Sequence, residues 1–383
     1  MALTVLVADD DPLIRRQLMP LLTRLGLDIV EVADGAAAWA AMQVKMPQLA
    51  IIDWMMPGMD GLELCQRLRR ASAEQYTYVI MLTGASEREH RKQAMAAGVD
   101  DFLAKPLDRV DLETRITVAR RILDMQEKLV EHRQRMQDEL KAAAKVQARM
   151  LPDAPPAVAG LDCAWHWQPC DELAGDTLGV TTLADGRVAF HVLDVAGHGV
   201  RSALLAVQVG RILQRDGVGP GRSPAAVLAG LNREFPFQPA TLQYFTMLLG
   251  VLDPRTWTIT LGHAAHPGPL LITADGPRTL IRDCSRRSVP VGIYPDELAT
   301  FEESTLELPP GGTLLLYSDG VTEAMDPQQA CFGDARLHAA ITAHRGPADA
   351  AGLVRTVVAA LDAWRAGGVV SDDISLLAIR RSG

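Results

Sequence analysis

The residues with the most evident chemistry in the first part of the chain are three aspartates, a threonine and a lysine. Asp9 and Asp10 follow the apolar run LTVLVA, Asp53 follows QLAII, Thr83 ends YVIMLT and Lys105 follows DFLA. Carboxylates gathered within a few ångströms repel one another, by about 4 kcal/mol for a unit pair at 4 Å and an effective dielectric of 20. Mg²⁺ relieves such repulsion and binds carboxylates together with phosphate oxygens. The set predicts a phosphoacceptor site in which Asp53 forms an acyl phosphate and Lys105 and Thr83 contact the phosphoryl group.

These side chains belong together only if the fold gathers the ends of several strands. Between residues 3 and 105, short apolar runs alternate with stretches of helical spacing, which favours a parallel sheet with helices on both faces. We predict a flavodoxin-like, doubly wound α/β domain over residues 1–107, with functional groups at the carboxyl ends of its strands. A single aspartate at a strand end is more simply a turn residue, but the whole set in this order disfavours that interpretation.

A second series of aspartates lies beside small residues in the C-terminal half. Asp176 lies in DELAGDTLG, Asp194 in LDVAGHG, Asp319 in LLLYSDGVTEA, and Asp372 and Asp373 in GVVSDDISLLAI. Taken singly, each fits a turn. If strand ends bring all of them together, the acidic groups need cations, and oxygen ligands favour Mg²⁺ or Mn²⁺ over zinc. The series then predicts a two-metal site that clamps a phosphate and lowers the pKa of a bridging water.

The segment that carries this second series has the pattern of an α+β domain. LPDAPPAVAG, at residues 151–160, ends the preceding helix because prolines cannot continue it. Strands with turn signals follow, and the predicted helical stretches are 199–215, 223–235, 334–344 and 348–365. We predict helices that cover a β-sandwich over residues 151–383, with a strand order that the pattern does not reveal.

Residues 108–150 have a different composition, rich in charge and without Gly or Pro. Apolar side chains recur at intervals close to three and four, at Ile122, Met125, Leu129, Met136, Leu140, Ala143 and Met150. This spacing predicts a long helix and favours a two-chain coiled coil, hence a homodimer. The alternative is a solvated spacer helix that packs on its own domain.

Composition excludes several other classes of protein. The net charge of −9 argues against a general nucleic-acid binder, which would carry a basic excess. No apolar run approaches the ~18 residues of a membrane span, and the N-terminus becomes acidic too early for a signal peptide. The five scattered cysteines fit reduced thiols rather than a disulfide framework or a zinc site. We therefore expect a cytoplasmic protein.

The first set of residues resembles the receiver domain of two-component response regulators, over residues 1–107 almost without gaps. The resemblance implies that a sensor histidine kinase is the phosphoryl source for Asp53. It also implies that Mg²⁺ is bound by Asp9, Asp10, Asp53 and the backbone carbonyl of Met55. Thr83 and Phe102 would report the phosphorylation state, and the Lys105–Pro106 bond would be cis, a state common only before proline.

The second set resembles the metal-dependent (type-2C) protein phosphatases, in particular their SpoIIE-type branch with an αββα sandwich. The stretches that carry the resemblance are KVQARMLP, LAGDTLG, LADGRVAFHVLDVAGHGVRSALL, GHAAHPGPLL, LLLYSDGVTEA and SDDISLLAI. It implies that Asp194, the carbonyl of Val195, Asp319 and Asp372 hold two Mn²⁺ or Mg²⁺ ions. The implied reaction is hydrolysis of protein phosphoserine or phosphothreonine by metal-bound water, without a covalent enzyme intermediate.

One motif departs from the family pattern. The family's Gly-Gly-Asp-Phe-Tyr-Asp reads AGDTLG here, with Ala174 for the first glycine and Gly179 where a second aspartate often lies. Asp176 matches the motif's first aspartate and is a predicted metal ligand. Asp373 is carried over as a metal ligand or as a neighbouring group. A third metal contact or a loop conformation is therefore in question, whereas the two-metal core is intact.

Three histidines lie near these motifs. His198, in the turn after Asp194, fits either a general acid or a loop-shaping hydrogen bond, and the second interpretation is the simpler. His263 and His266, in GHAAHPGPLL, fit a structural loop.

Together the motifs predict a response regulator whose phosphatase output is controlled by phosphorylation of Asp53 through the helix at 108–150. The resemblance suggests a phosphorylated anti-sigma-factor antagonist as the substrate, within a partner-switching pathway. Two alternatives stay open. One is a pseudo-phosphatase adaptor that binds a regulatory protein without hydrolysis, and the other is a structural dimer scaffold.

Overall fold

The structure is a computed structural model that describes residues 3–71, 76–84, 91–218, 222–237, 243–280, 288–344 and 349–382. The chain forms two compact units, Met1–Met136 and Gln137–Gly383. Among the described helices, none has both the length and the apolar character needed to cross a bilayer. Cys284 lies outside the described residues, and the free cysteines within them are Cys65, Cys163, Cys170 and Cys331.

The first unit contains one parallel sheet of five strands in the order β2-β1-β3-β4-β5. The strands are β1 (Thr4–Ala8), β2 (Asp28–Val32), β3 (Leu49–Asp53), β4 (Tyr78–Thr83) and β5 (Asp101–Ala104). The helices are α1 (Pro12–Arg24), α2 (Gly35–Val44), α3 (Gly61–Ala71), α4 (Arg91–Ala96) and α5 (Arg109–Ala148). This strand order is that of the flavodoxin-like doubly wound fold, so the predicted fold is confirmed.

Both faces of this sheet are covered at the strands β1, β3 and β4, whereas the edge strand β2 is largely exposed. Leu6 and Ile52 are buried in one apolar cluster, while their chain neighbours Val7 and Ile51 are buried in the cluster on the opposite face. Because successive side chains of a strand point to opposite faces, a sheet buried on both sides needs an apolar residue at every position. Full burial of each such side chain contributes roughly 1.5–3 kcal/mol, which explains the uninterrupted apolar runs.

Helix α5 is continuous over 40 residues, which confirms the predicted long helix. Its early apolar residues Leu112, Ile116 and Ala119 are buried in the core of the first unit. Farther along, Met125 and Leu129 are 63% and 64% exposed. The early turns therefore belong to the packing of the first unit, and an apolar stripe follows on the surface.

The second unit contains two antiparallel sheets of five strands, ordered β13-β10-β9-β8-β7 and β12-β11-β14-β15-β6. The first elements are β6 (Leu161–Gln168), β7 (Thr177–Thr182), β8 (Val188–Val195), α6 (Val200–Asp216), α7 (Pro224–Glu234), β9 (Phe245–Asp253) and β10 (Thr258–Ala264). The others are β11 (Leu270–Thr273), β12 (Gly276–Thr279), β13 (Glu303–Glu307), β14 (Thr313–Tyr317), α8 (Asp319–Thr322), α9 (Gly333–Thr342), α10 (Ala350–Arg365) and β15 (Ile374–Arg381).

The two sheets pack face to face, and helices cover both outer faces. Phe190 and Leu248 of one sheet share a buried cluster with Leu316 and Leu377 of the other. Residues of α6 and α7 cover the outer face of the first sheet, and residues of α9 and α10 cover that of the second. The result is the predicted αββα sandwich.

Helix α7 begins where the sequence supplies a cap. Ser223 accepts a hydrogen bond from the backbone N–H of Ala226 at 3.4 Å, and Pro224 occupies the first turn of α7. Helix α6 starts differently, after Gly197 and Gly199, whose φ angles are +82° and +90°. Only glycine adopts such angles without strain, which allows the chain to turn sharply between β8 and α6.

Candidate functional sites

The first candidate site lies at the carboxyl edge of the parallel sheet. Asp53 ends β3 and Thr83 ends β4, while Asp9 and Lys105 follow β1 and β5 directly. The ammonium of Lys105 lies 2.6 Å from Oδ1 of Asp53 and 3.0 Å from Oδ2 of Asp9. Asp9, Asp10 and Asp53 each place a carboxylate oxygen within 4.8 Å of the other two. The fold thus brings together the groups that the strand-end pattern singled out.

The charges at this edge are unbalanced. Burial raises the pKa of Asp53 to about 6, the hydrogen bond from Lys105 opposes this, and repulsion from Asp9 and Asp10 adds to it. Burial also disfavours the charged form of Lys105, but its bonds to Asp53 and Asp9 outweigh burial and raise its pKa. One lysine thus faces three carboxylates.

The donors at this edge fit Mg²⁺. The oxygens of the three aspartates are hard ligands, and the chain continues from Asp53 directly into the loop that carries the carbonyl of Met55. Oγ1 of Thr83 is buried without a hydrogen-bond partner in the part of the chain that the structure describes. A phosphoryl oxygen on Asp53 would be a suitable partner for such a hydroxyl. Phe102 is 9% exposed and belongs to the apolar cluster beneath.

Two residues that the sequence patterns did not single out shape this edge. Arg15 donates from Nη1 to the backbone carbonyls of Asp9 at 2.7 Å and of Asp10 at 3.3 Å. Gly61 packs directly on β3, since a Cβ there would lie 2.2 Å from the carbonyl oxygen of Asp53. The sequence signal for Gly61 was the short loop PGMDG, which the strand-end argument did not use. The Lys105–Pro106 bond is cis, as expected.

The second candidate site lies at one end of the sandwich. Asp176 immediately precedes β7 and Asp194 is the penultimate residue of β8, and the two strands are antiparallel, with Thr177 opposite Leu193. In the other sheet, Tyr317 at the end of β14 pairs with Leu376 near the start of β15. This pairing brings Asp319, which begins α8, to the same end as the Asp372–Asp373 pair that precedes β15.

The carboxylates of this site oppose one another's ionisation. Burial raises the pKa of Asp194 to about 7, and repulsion from Asp319, Asp372 and Asp373 adds to it. Burial raises the pKa of Asp319 to about 6, with repulsion from Asp372 as the next cause. The pKa of Asp176 lies well above its usual value because the side chain is buried and faces Asp194. Burial also raises the pKa of Asp372. These groups therefore form one electrostatic cluster.

The raised pKa values set the sign of a pH effect on the metal-free protein. Asp194 and Asp319 bind more protons when folded than when unfolded, so their contribution to stability is full below pH ~4 and is lost as pH rises through 6 and 7. Each pH unit between the two pKa values of a group costs about 1.4 kcal/mol. We expect the melting temperature in EDTA to fall over this range and the fall to be smaller in Asp194→Asn. The exposed Asp275→Asn is the control, and equal slopes in all three proteins would contradict the prediction.

Asp373 acts on the backbone of a neighbouring loop. Its Oδ1 accepts from the N–H of Cys170 at 2.8 Å, and its Oδ2 accepts from those of Gly175 at 2.6 Å and Asp176 at 3.2 Å. Both oxygens are thus engaged with residues 170–176. This favours the role of a neighbouring group that shapes the loop of Asp176 over that of a metal ligand.

The remaining donors fit hard divalent cations. Oδ2 of Asp176 is buried and has no hydrogen-bond partner among the residues that the structure describes. An unpaired carboxylate oxygen beside other carboxylates is costly unless a cation is present. The backbone oxygen of Val195 faces the same loop, at 3.0 Å from where a Cβ of Gly175 would lie. Aspartate and backbone oxygens are the ligands that Mg²⁺ and Mn²⁺ prefer.

Two further residues at this site were not among those predicted. Glu323 follows α8 and is a source of repulsion on both Asp194 and Asp319, and it lies within the quoted stretch LLLYSDGVTEA. Cys170 places its sulfur within 4.8 Å of oxygens of Asp372 and Asp373. Burial, followed by repulsion from Asp373, raises the pKa of this thiol to about 12, so it stays protonated at neutral pH.

Close backbone packing explains two of the glycines. A Cβ at Gly175 would lie 3.1 Å from the carbonyl oxygen of Gly197, and a Cβ at Gly320 would lie 2.0 Å from that of Asp373. A side chain at either position would push apart the loops that carry the carboxylates. The glycines therefore keep the separate aspartate-bearing segments in contact.

Gly179, which departs from the family motif, lies opposite a large side chain on the neighbouring strand. Gly179 lies opposite His191 in the β7–β8 pair, and a Cβ there would lie 2.4 Å from the imidazole ring. Burial lowers the pKa of His191 to about 4, so the ring is neutral. At the position where the family often has an aspartate, the imidazole thus fills the space next to the backbone, and a residue with a Cβ there would require the ring to move.

The histidines of the two glycine-rich turns differ in burial. Nδ1 of His198 lies 2.9 Å from Oδ2 of Asp171, and both side chains are exposed, which favours loop shaping. His263 and His266 are buried, with Nε2 of His263 2.7 Å from the carbonyl oxygen of His266 and Nδ1 of His266 2.7 Å from Oγ1 of Thr246. These contacts fit the structural role predicted for the pair.

The two units define a class of protein in which one long helix joins a receiver domain to a PP2C-like domain. The model of the response regulator receiver domain matches residues 5–117. The model of the family Stage II sporulation protein E (SpoIIE) matches residues 184–382, just over half of the chain. The chain therefore belongs to the SpoIIE family.

Individual relatives match one unit or the other. The chain is 30% identical to the phosphoserine phosphatase RsbP of Bacillus subtilis over 198 residues, which are 51% of this chain and 47% of RsbP. It is 39% identical to the probable transcriptional regulator ycf27 of Porphyridium aerugineum over 119 residues, 31% of this chain and 48% of ycf27. The chain thus spans about half the length of the curated relatives it matches.

Solved structures share the fold of the second unit. The SiaA-PP2C domain of Pseudomonas aeruginosa superposes with a TM-score of 0.57 at 23% identity, over 65% of this chain and 98% of that domain. The PP2C phosphatase domain of SpoIIE from Bacillus subtilis, solved with a fragment of its regulatory domain, superposes with a TM-score of 0.50 at 16% identity, over 57% of this chain and 63% of that one. At these identities the likeness establishes the fold alone.

Proposed function

We propose that this chain is a response regulator whose output is metal-dependent dephosphorylation of a phosphoserine or phosphothreonine protein. The observation that carries the proposal is the cluster of buried aspartates at one end of the sandwich, with its unpaired oxygen on Asp176. Such a cluster is stabilised by divalent cations and is suited to binding a phosphate between them. The 30% identity to the phosphoserine phosphatase RsbP over 198 residues supports the same activity.

In the first unit, we assign the phosphoacceptor role to Asp53. A sensor histidine kinase would supply the phosphoryl group: the Asp53 carboxylate oxygen would attack the phosphorus of the kinase's phosphohistidine, the O–P bond of the acyl phosphate would form, and the P–N bond would break with the histidine as the leaving group. Lys105, 2.6 Å from that carboxylate, would neutralise the added charge, and the Thr83 hydroxyl would donate to a phosphoryl oxygen. Asp9, Asp10, Asp53 and the carbonyl of Met55 would hold Mg²⁺, which would offset the negative charge of the carboxylates and of the incoming phosphoryl group.

In the second unit, oxygen donors would hold two Mn²⁺ or Mg²⁺ ions: Asp176, Asp194, Asp319, Asp372 and the carbonyl of Val195. When bound, such cations polarise a phosphoryl group and acidify water. The contribution of the chain is to fix the position of these oxygens. Asp373 holds the loop of Asp176, and Gly320 lets α8 approach the Asp372–Asp373 backbone.

Control of the output would pass through α5, since this one helix starts in the first unit and ends in the second. Phosphorylation of Asp53 would change the position or the pairing of the helix. The family resemblance suggests a phosphorylated anti-sigma-factor antagonist as the substrate. In that setting the chain would link a two-component signal to partner switching.

A second candidate function is a pseudo-phosphatase adaptor that binds a regulatory protein without hydrolysis. The observation in its favour is the AGDTLG motif, in which the site of the second aspartate is occupied by Gly179 against the His191 ring. An adaptor would need neither Asp194 nor Asp319. Calorimetric titration with Mn²⁺ separates the two functions, because only the enzyme should bind the ion in a way that depends on these two residues.

The direct test measures phosphate release from p-nitrophenyl phosphate and from a phosphorylated anti-sigma-factor antagonist in the presence of Mn²⁺, with and without acetyl phosphate. We expect hydrolysis that depends on Mn²⁺ and changes when the receiver is phosphorylated. If neither substrate is hydrolysed and Asp194→Ala behaves as the wild type does, the enzymatic proposal is wrong.

The exposed stripe of α5 yields a prediction about self-association. Leu129 is 64% exposed and belongs to the three-four repeat, whereas its neighbour Val130, 58% exposed, lies outside the repeat. A coiled-coil dimer would bury two copies of Leu129, each contributing roughly 1.5–3 kcal/mol. We expect Leu129→Lys to raise the dimer dissociation constant at least about tenfold in sedimentation equilibrium, and Val130→Lys to change it much less. Equal effects of both variants would argue for the spacer-helix alternative.

A further inference from the structure

The last turns of α5 contain one polar side chain that is buried. Gln147 is 6% exposed, although Lys145, Val146 and Ala148 around it are exposed. Its Nε2 donates to the carbonyl oxygen of Ala174 at 2.6 Å, and its Oε1 accepts from the N–H of Ala174 at 3.1 Å. The amide therefore pairs with both backbone groups of a single residue 27 positions away.

Ala174 belongs to the loop that ends in Asp176. The next two N–H groups of that loop, those of Gly175 and Asp176, donate to Oδ2 of Asp373. Gln147 and Asp373 therefore hold consecutive residues of one short segment. The segment has little room to shift, because a Cβ at Gly175 would lie 3.0 Å from the carbonyl oxygen of Val195. A displacement at Ala174 would be passed to Asp176 and to the close approach of Gly175 to the carbonyl of Val195.

If Gln147 only provided hydrogen-bond partners for the backbone of Ala174, its effect would be confined to that loop. However, it lies on a helix whose early turns are packed in the core of the first unit, where Leu112 and Ile116 are buried. Among the contacts of the described residues, the two hydrogen bonds between Gln147 and Ala174 connect α5 to the segment that carries Asp176. Any rotation or shift of the end of α5 must either break the pair or move Ala174.

From this geometry we infer that Gln147 is a positioning residue for the metal site, coupling the state of α5 to the orientation of Asp176. The inference rests on the proposed function, because it assigns a regulatory contact to the same site. With the pair formed, Asp176 is held towards Asp194. When the pair is broken, the segment relaxes, and the affinity of the site for a divalent cation falls.

The test is a Mn²⁺ titration of the full-length chain by calorimetry, with and without acetyl phosphate. Gln147→Met keeps the length of the side chain but removes the donor and the acceptor. Lys145→Met introduces the same side chain at an exposed position in the same turn and is the matched control. We expect Gln147→Met to weaken Mn²⁺ binding to the second unit about tenfold, a change of about 1.4 kcal/mol, and to remove its dependence on acetyl phosphate.

The outcomes separate this inference from the proposed function. If the wild type neither binds Mn²⁺ in the second unit nor hydrolyses substrate, the proposed function fails. If the wild type does both and Gln147→Met binds Mn²⁺ and responds to acetyl phosphate as the wild type does, only the role of Gln147 is overturned. Weakened binding that acetyl phosphate still shifts to the wild-type extent would also overturn the coupling.

A second measurement needs no variant and remains decisive if Gln147→Met fails to fold. Hydrogen exchange of the amides of residues 174–176 is followed in the wild type with and without acetyl phosphate. We expect the protection of the Ala174 amide to change severalfold on phosphorylation, because its acceptor lies on α5. Unchanged protection across this segment, with phosphorylation of Asp53 verified by mass spectrometry, would overturn the inference.

Discussion

Asp194→Asn is expected to lower phosphate release by at least about a thousandfold, equivalent to about 4 kcal/mol of transition-state stabilisation. Asp194 is the residue on which the repulsion of Asp319, Asp372 and Asp373 converges, so it lies among the other carboxylates rather than at their margin. Asparagine has nearly the same shape but carries no charge and binds cations weakly. The substitution therefore removes the proposed ligand while leaving the packing in place.

The same substitution should have the opposite effect on the stability of the metal-free protein. Removing a buried carboxylate that its neighbours repel relieves the strain of the cluster, so the melting temperature in EDTA at pH 7–8 should rise. In the presence of Mn²⁺ the order should reverse, since only the wild type gains the binding energy of the ions. Lower activity together with higher metal-free stability distinguishes loss of a ligand from misfolding. The exposed Asp275→Asn should change neither quantity, and a fully active Asp194→Asn would refute the assignment.

The second large effect concerns the receiver. Asp53→Asn should abolish phosphorylation by acetyl phosphate, because the amide cannot form the acyl phosphate. Lys105, whose ammonium lies 2.6 Å from the Asp53 carboxylate, would keep its bond to Asp9 in the variant. The expected result is a complete loss of the phosphoryl mass increment in intact-protein mass spectrometry and of any difference in phosphate release between treated and untreated protein.

The control for this experiment is Asp124→Asn, an exposed carboxylate on α5 that the sheet edge does not contain. It should be phosphorylated as the wild type is. A mass increment that persists in Asp53→Asn would place the phosphoacceptor elsewhere. A wild type that is phosphorylated without any change in phosphate release would leave the receiver assignment standing and contradict the coupling through α5.

The site of the receiver domain could be predicted from the sequence because each functional residue lies next to the strand that positions it. The central strands β1, β3 and β4 are almost entirely apolar, and each candidate side chain ends a strand or follows one within two residues. In a parallel sheet these positions must share an edge, so Asp9, Asp53 and Lys105 could be grouped before any coordinates were known. Arg15 escaped notice because its contact is with backbone carbonyls, and a helical arginine near the surface carries no such signal.

The sandwich was predictable in its layers but not in its strand order. The first strand β6 pairs with the last strand β15, with Gln168 opposite Ile374. No feature of either segment specifies the other, because such a pairing depends on the packing of the whole unit. From the sequence, the aspartates of the second unit could therefore be grouped only on the assumption that the strand ends meet, or by resemblance to a known family.

The details of the second site depended on contacts between distant residues. For Asp373, the role of a neighbouring group is favoured over that of a metal ligand by contacts with distant residues, because both of its oxygens accept backbone N–H groups. The motif departure at Gly179 had no physical explanation in the sequence, whereas the structure shows that the His191 ring fills the space that a side chain there would need. Gln147 lies within the quoted stretch KVQARMLP, but its pairing with Ala174 could not be predicted from the sequence, because the two residues are 27 positions apart.

The continuity of α5 has a consequence for how such chains vary in length. Each residue added to an α-helix rotates the part beyond it by about 100° about the helix axis. Seven added residues rotate it by about 700°, which is about 20° short of two full turns. An insertion of one residue between the buried Leu112 and the buried Gln147 would turn the two side chains relative to each other about the helix axis by about 100°, and an insertion of seven would nearly restore their relative direction. Related chains with other input domains should therefore differ in this helix by whole heptads, so that the helix keeps angular phase as well as distance.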